Sequence, residues 1–200
     1  MSIKKGVLDV GLSTINAIIE LLGKRNKACI LANAVDELVP SYAINTKHGF
    51  ISFYCFGNTP FWRAETLLTK EPETIEWIDG FASQDTLWDI GANIGCYSLY
   101  AAKRGIRVMS FEPSAINYFL LQKNIQINNL DETINALCIA FNDSSKIGCL
   151  NMSSMEMGGA MNSFGNSLNH INYGDSKYAV EFKQGMIGWS IDEFINFFGI

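Results

Sequence analysis

Asp89-Ile-Gly-Ala-Asn-Ile-Gly95 is the most informative stretch of this 200-residue sequence. It follows an apolar run over residues 86–90 that predicts a buried strand, and a helical pattern begins directly after it at Cys96. Glycines let the backbone turn sharply and approach a ligand closely, and the first turn of a helix offers N–H groups without intrahelical partners. We therefore expect a strand, a glycine turn and a helix, with a ligand site at the turn.

The same order of elements continues downstream. Residues 107–111 predict a second strand, which ends at Glu112, and Ser114 is a favourable N-cap for the helix that follows. Residues 134–139 predict a third strand. Strand, glycine turn, helix, strand, acid, helix and strand make up the first half of a doubly wound α/β sheet, which is the predicted fold class.

Glu112 lies 23 residues beyond Asp89, at the end of the next predicted strand. A carboxylate at that place can accept both hydroxyl hydrogens of a ribose, so we expect a nucleoside ligand. A dinucleotide site is not favoured, because Asn93 and Cys96 stand where the G-x-G-x-x-G pattern needs its second and third glycines. No P-loop is present. The carboxylate of Asp89 would repel a pyrophosphate but suits an ammonium group, and S-adenosylmethionine combines a ribose and an amino acid without phosphate.

At this point the sequence resembles the FkbM-type S-adenosylmethionine-dependent methyltransferases. The resemblance covers roughly residues 41–200, and it is carried by several motifs together. These are Asp89–Gly95, Phe111-Glu112-Pro113, Asn124-Ile-Gln-Ile-Asn128, Trp62-Arg63, Lys70-Glu-Pro-Glu-Thr74, Trp77-Ile78 and Ser190-Ile-Asp-Glu-Phe194.

The resemblance implies a Rossmann-like enzyme that transfers a methyl group, with O-methylation of a sugar or natural-product hydroxyl as the reaction. The acceptor would then be a small molecule or a glycan. The segment Asp89–Gly95, with Gly91, Ala92, Asn93 and Gly95, would surround the methionine part. Glu112 with Pro113 would hold the ribose, and Asn142 and Asp143 would lie beside the adenine.

The sequence does not identify a catalytic base. A base would assist the transfer if the acceptor is a hydroxyl, and four side chains stay open for this role. They are His48, His170, Glu73 and Asp192.

Composition excludes several classes of protein. Hydrophobic residues make up 48% of the chain, which excludes disorder over most of its length. The net charge of -5 gives no support to nucleic-acid binding. Five scattered cysteines without a C-x-x-C pair, and only two histidines, predict no metal site and a reducing, cytoplasmic location. No apolar stretch of 18 residues occurs, so no transmembrane helix is expected.

Two domains are predicted, a 1–80 extension and an 81–200 cofactor-binding domain. The extension begins with an amphipathic helix over residues 7–22, which we do not read as a signal peptide. A hairpin follows, with strands at residues 42–46 and 50–55 and a three-residue loop that exposes His48. Residues 142–189 predict loops and antiparallel strands, and Ser190 is expected to cap a last helix through Phe198.

A methyltransferase sheet of the expected type usually has about seven strands in the order 3-2-1-4-5-7-6, and only three parallel strands are predicted here. We therefore expect strand one, residues 86–90, at an open edge of a sheet that is incomplete at its C-terminus, as in a piece of a longer enzyme. A non-catalytic binding or scaffold module and a nicotinamide-dependent oxidoreductase are the alternatives. The sequence does not decide whether the chain forms a homo-oligomer.

Overall fold

The computed structural model describes residues 5–21, 23–38 and 40–199. The chain forms two compact units, residues 1–39 and 40–200. The first unit contains α1 (Lys5–Glu20) and α2 (Gly23–Glu37). The predicted N-terminal helix is confirmed, although Leu22, its last predicted apolar residue, lies outside the described residues. The second helix, α2, was not predicted. The predicted division into an extension (residues 1–80) and a cofactor-binding domain (residues 81–200) stays a prediction.

The second unit opens with a β-hairpin of β1 (Ser41–Thr46) and β2 (Gly49–Tyr54). Thr46 pairs with Gly49, so the loop has two residues, and the three-residue loop that we predicted is wrong. His48 is also less exposed than predicted: its Nε2 lies 2.9 Å from Oδ1 of Asp79, and its ring packs edge-on against Tyr100. The turn is therefore tied to the domain by a side chain that sequence alone places in solvent.

Two short helices link the hairpin to the central sheet. They are α3 (Asn58–Glu65), which was not predicted, and α4 (Pro72–Asp79). Pro72 occupies its first turn, where the missing N–H breaks no helical hydrogen bond, and Gly80 is its C-cap.

The central sheet is parallel. Its elements are β3 (Thr86–Ile90), α5 (Cys96–Lys103), β4 (Arg107–Phe111), α6 (Ala115–Ile127) and β5 (Ile134–Leu137). The strands lie in the order β3-β4-β5, with both pairs parallel. The predicted order of strands and helices is confirmed, and the carboxyl ends of the three strands meet at one edge of the sheet.

The region after β5 contains a second sheet and a separate hairpin. Its elements are β6 (Ala140–Phe141), β7 (Lys146–Met152) and β8 (Ser163–Gly165), then the hairpin of β9 (His170–Tyr173) and β10 (Ser176–Ala179), and finally β11 (Phe182–Trp189). The strand order is β6-β11-β7-β8, with β9 and β10 paired separately. All strand pairs in this region are antiparallel as predicted, except the parallel pair of β6 and β11. The chain continues into α7 (Ile191–Phe198), and Ser190 Oγ accepts a hydrogen bond from Glu193 N at 3.2 Å, which confirms the predicted cap.

Asn124 of α6 and Asn128, the C-cap residue of this helix, hold the hairpin against the central sheet. Asn124 Oδ1 accepts from Tyr54 N at 2.8 Å, and Asn128 Oδ1 accepts from Ser52 N at 2.9 Å. Asn128 Nδ2 also donates to Ser52 O at 2.7 Å. These amides satisfy backbone groups of β2 that have no strand neighbour on that side, which gives the Asn124–Asn128 motif a structural role.

Within the described ranges, no strand pairs with the second side of β3. The open edge expected for strand one is therefore observed, while the origin of the chain as a piece of a longer enzyme stays a prediction. Trp88 of this strand packs near Phe141 and Phe194, so aromatic rings of β6 and α7 cover one face. In the part of the chain that the structure describes, no helix combines the length and the hydropathy needed to cross a bilayer.

Candidate functional site

The glycine turn is tied to the end of the neighbouring strand. Gly91 N and Ala92 N both donate to Phe111 O, at 2.7 and 3.1 Å. Asn93 then takes a positive φ of 53°, which asparagine tolerates better than most residues. The turn is thereby placed at the carboxyl ends of β3 and β4, where ligands of open α/β sheets bind.

Gly95 is required by close packing. Its φ is +89°, and a Cβ atom there would lie 2.5 Å from Leu121 Cδ1. Leu121 is fully buried in the core, so it has little room to move aside. The last glycine of the motif therefore lets α5 begin directly against α6.

Glu112 is buried at the end of β4, with only 4% of its surface exposed. Its Oε2 accepts from Asn93 N at 2.7 Å and its Oε1 from Ser114 N at 2.8 Å. Burial raises the pKa of Glu112 above its ordinary value, and the hydrogen bonds from the backbone N–H groups of Ser114 and Asn93 only partly oppose that rise. The structure thus brings together the glycine turn and the acid that the sequence predicts for one site.

Asp89 belongs to a separate hydrogen-bonding chain beneath the turn. Its Oδ2 accepts from Ser98 Oγ at 2.5 Å, and Ser98 Oγ lies 2.7 Å from Ser110 Oγ. Burial raises the pKa of Asp89, and its charge also contributes to the raised pKa of Glu112. Asp89 therefore lies close enough to influence the site electrostatically, and its carboxylate is oriented by α5.

An apolar cleft of about 200 Å³ opens at the carboxyl ends of the strands. Pro113, one of the predicted site residues, lines it together with Gly91. The remaining lining residues are Ile90, Phe111, Ile139, Ala140, Phe141, Leu150, Asn162 and Phe164. A larger cleft of about 370 Å³ lies at the opposite, amino end of the sheet beside Glu132, away from the glycine turn.

Asn142 and Asp143 are not among the residues that line the apolar cleft. Asn142 N donates to Trp189 O at 2.8 Å, and Asp143 is exposed and lies 3.6 Å from Lys146 Nζ. Their neighbours Ala140 and Phe141 do line the cleft. The predicted role of Asn142 and Asp143 beside an adenine stays a prediction.

Three parts of the site were not predicted. Phe164, a wall of the cleft, fills the space left by two glycines of the second sheet: Cβ atoms at Gly148 and Gly188 would come within 2.7 and 2.2 Å of its ring. Asn117 and the turn at residues 158–159 meet beside Glu112. The G-G sequence was the only local signal for that turn, and nothing near Asn117 indicated its role.

Among the described residues, no three His, Cys, Asp or Glu side chains are grouped as metal ligands. Two cysteines of the domain are also shielded. Burial raises the pKa of Cys96 to about 12 and raises the pKa of Cys55 above its ordinary value. Thiols held in the protonated form are poor nucleophiles, so the structure gives these two cysteines no chemistry of their own.

No family model matches the sequence, and no curated protein matches it. Several solved structures are similar to parts of the chain, among them the following two. One is a SAM-dependent methyltransferase from Agrobacterium tumefaciens, with 14% identity over 49% of this chain and 32% of that chain, and a TM-score of 0.39. The other is the N-terminal domain of human METTL16 in complex with SAH, with 17% identity over 48% of both chains and a TM-score of 0.31.

The chain thus spans about a third of the first protein and about half of the second. Because the identities and TM-scores are this low, the function has to be argued from the residues of the site.

Proposed function

We propose that residues 81–200 form the Rossmann-like cofactor domain of an S-adenosylmethionine-dependent methyltransferase of the FkbM type. The observation that carries this proposal is the buried Glu112 carboxylate, held by Asn93 N and Ser114 N at the end of β4. An ionised carboxylate has about four acceptor positions, and these two backbone donors fill two of them. The other positions suit the two hydroxyl donors of a ribose.

The polar atoms around Glu112 support a nucleoside ligand. Asn93 Oδ1 and Ser114 Oγ are buried, and neither has a hydrogen-bond partner among the described residues. Buried polar atoms are rarely left unpaired, because each lost partner costs about 1–3 kcal/mol. A polar ligand beside Glu112 would supply the missing partners.

The neighbouring cleft suits a flat apolar group. The rings of Phe111, Phe141 and Phe164 line it, together with Ile139 and Leu150. Aromatic rings stack favourably on planar partners, so the cleft is the place for a purine base. Gly91 connects the cleft to the glycine turn, which gives the base, the ribose and the amino-acid end of the cofactor one continuous path.

When bound, S-adenosylmethionine supplies an activated methyl group on a sulfonium centre. The residues of this chain would then bind the nucleoside, exclude water and align the acceptor. We propose O-methylation of a sugar or natural-product hydroxyl, for which the support is the family resemblance. His48 is the weakest of the candidate bases, because it already bonds Asp79 near the C-terminal half of α5, away from the turn.

We further propose a cytoplasmic protein that associates with a second copy of itself. All five cysteines are free, which suits a reducing compartment. Ile147 and Ile187 pair across β7 and β11, and Ile187 lies on the same strand face as Trp189. The Trp189 ring contacts Phe197 and Phe198. These five residues form an apolar surface in which Ile147 is 86% and Phe197 72% exposed, as in a subunit interface.

Calorimetric titration with S-adenosylmethionine and S-adenosylhomocysteine tests the proposal. Glu112→Gln keeps the side-chain volume but removes the charge, and we expect it to weaken binding by about tenfold or more, equivalent to about 1.4 kcal/mol. Glu132→Gln, at the opposite end of the sheet, is the matched control and should bind like the wild type. If the folded wild-type chain binds neither compound, the proposed cofactor is wrong.

Binding without methyl transfer to any hydroxyl acceptor would instead favour the alternative of a non-catalytic binding module. Binding of S-adenosylhomocysteine tests the cofactor site without an acceptor. Methyl transfer from S-adenosylmethionine tests catalysis in addition.

A further inference from the structure

A turn from the second sheet lies directly over the Glu112 site. Gly158 O accepts from Arg63 Nε at 2.6 Å, and Gly159 O accepts from Asn93 Nδ2 at 2.8 Å. Asn117 makes two bonds to the same turn: its Nδ2 donates to Gly159 O at 3.0 Å, and its Oδ1 accepts from Gly158 N at 2.8 Å. Three side chains from separate parts of the fold therefore hold this turn in place.

Asn93 connects this turn to the carboxylate, because its backbone N–H donates to Glu112 Oε2 and its side chain donates to Gly159 O. Asn117, which is 2% exposed, bonds Gly158 and Gly159 of the same turn. The turn, the amide and the carboxylate consequently form one hydrogen-bonded unit. Any molecule that reaches Glu112 has to break contacts within it.

In this arrangement the Glu112 carboxylate has almost no free surface to offer a ligand. Glu112 is almost fully buried, and the cleft beside it measures about 200 Å³, whereas small-molecule pockets occupy about 300–1,000 Å³. Asn162, from the end of the same loop, lines the cleft. The loop over residues 153–162 thus contacts both the surroundings of the carboxylate and the apolar cleft.

We propose that residues 153–162 form a lid that is closed over Glu112 in the free protein and opens to admit the nucleoside ligand, with Asn117 as its latch. The inference rests on the proposed function. When the lid opens, Arg63, Asn93 and Asn117 lose the Gly158 and Gly159 backbone groups as partners. Their side chains then face the ligand, so the turn occupies the hydrogen-bonding positions that the ligand takes over.

The lid also makes contacts that lie away from the carboxylate and can be removed selectively. Thr59 Oγ1 donates to Glu156 Oε1 at 2.5 Å, and this pair is exposed. Gly158 has a φ of +78°, and a Cβ atom there would lie 3.1 Å from Thr59 Cγ2 and 3.2 Å from Pro60 N. Gly158→Ala and Glu156→Ala therefore disfavour the closed lid and leave Glu112, Asn93 and Asn117 unchanged.

The test measures the association rate of S-adenosylhomocysteine by stopped flow, together with hydrogen exchange of residues 153–162. A ligand that binds only the open state has its apparent affinity reduced by the open fraction. We expect Gly158→Ala to speed association about fivefold or more, Glu156→Ala to speed it less, and both to speed exchange in the lid. Gly174→Ala, at a positive φ in the β9–β10 turn, is the control and should leave both unchanged.

The outcomes separate this inference from the proposed function. If the wild type binds the ligand and both lid variants associate at the wild-type rate, the lid is wrong while the cofactor site stands. If neither the wild type nor a lid variant binds, the proposed function fails and the lid for a nucleoside fails with it. Binding by the wild type together with faster association by both lid variants would support both. Glu156→Ala keeps the test decisive if Gly158→Ala does not fold, because Glu156 is exposed.

Discussion

The backbone N–H of Asn93 lies 2.7 Å from Oε2 of Glu112. This hydrogen bond joins the glycine turn after β3 to the acid at the end of β4, and it aligns the two features that a nucleoside site needs. Because the donor is a backbone group, the contact survives any substitution of Asn93 that keeps the turn. The carboxylate is therefore oriented before a ligand arrives.

The pH dependence of ligand binding should reflect the protonation of the Glu112 carboxylate. Its pKa is raised by burial, and ribose hydroxyls bind the ionised form more strongly than the protonated form. We expect the affinity for S-adenosylhomocysteine to fall as the pH is lowered from about 8 to about 5, starting at a higher pH than for an exposed glutamate. Calorimetry across this range measures the effect. A flat profile in the wild type would contradict it, and Glu112→Gln should show a weaker pH dependence than the wild type, with Asp89 still able to titrate.

The Gly95→Ala variant should be less stable by about 2 kcal/mol or more, because it combines backbone strain at a φ of +89° with a clash at Leu121. Gly91→Ala is the matched control: its φ is +84°, but a Cβ atom there meets nothing within 4 Å, so it should lose only the strain, about 1–2 kcal/mol. Urea unfolding gives both free energies of unfolding. Equal losses would show that the contact with Leu121 costs nothing.

Asp79 should contribute stability that acid removes. Burial acts to raise its pKa, but hydrogen bonds from His48, Lys47 and Tyr100 outweigh it and lower the pKa below its ordinary value. A lowered carboxyl pKa stabilises the fold above the unfolded-state pKa of about 3.9, and this stability is lost as the pH falls through the folded-state pKa.

We therefore expect Asp79→Asn to be less stable than the wild type by about 1–2 kcal/mol at pH 7, with the difference shrinking below about pH 4. Thermal unfolding as a function of pH measures it. Asp131→Asn, an exposed substitution, should match the wild type throughout. A difference for Asp79→Asn that stayed constant down to about pH 2 would mean that its charge is not the cause.

Self-association should depend on the apolar surface formed by β7, β11 and α7. Phe197 is 72% exposed, and we expect Phe197→Ser to weaken a dimer by about tenfold or more, since a buried aromatic anchor contributes about 2 kcal/mol. Sedimentation equilibrium measures the dissociation constant. Phe50→Ser, at the exposed end of β2, is the control. A wild-type chain that is monomeric at high concentration would overturn this interface.

The local signals in the sequence were sufficient for the central sheet. The strands at residues 86–90 and 107–111 are observed as predicted, because short apolar runs end there at glycine or at an acid. The cap at Ser190 was predicted from an equally local signal, a serine directly before a helical pattern. Neither α2 nor α3 was predicted, because polar and charged residues interrupt both segments and leave no continuous apolar stripe.

The site was less predictable where it depends on long-range contacts. Glu112 and the glycine turn were found because their spacing follows from the βαβ geometry. Asn117 meets Gly158 across 41 residues of sequence, and His48 meets Asp79 across 31. No propensity or periodicity encodes such pairs, because they are set by packing of elements that are distant in the chain.

The most direct test of the proposed site is the set of backbone amide signals that change when S-adenosylhomocysteine is titrated into the ¹⁵N-labelled protein. The N–H groups of Asn93 and Ser114 bond the Glu112 carboxylate, so we predict that their signals, with that of Gly91, shift most. The amides of residues 131–135, beside the cleft at the other end of the sheet, should stay unchanged. Shifts confined to that opposite cleft, or no shifts at saturating ligand, would contradict a nucleoside site at Glu112.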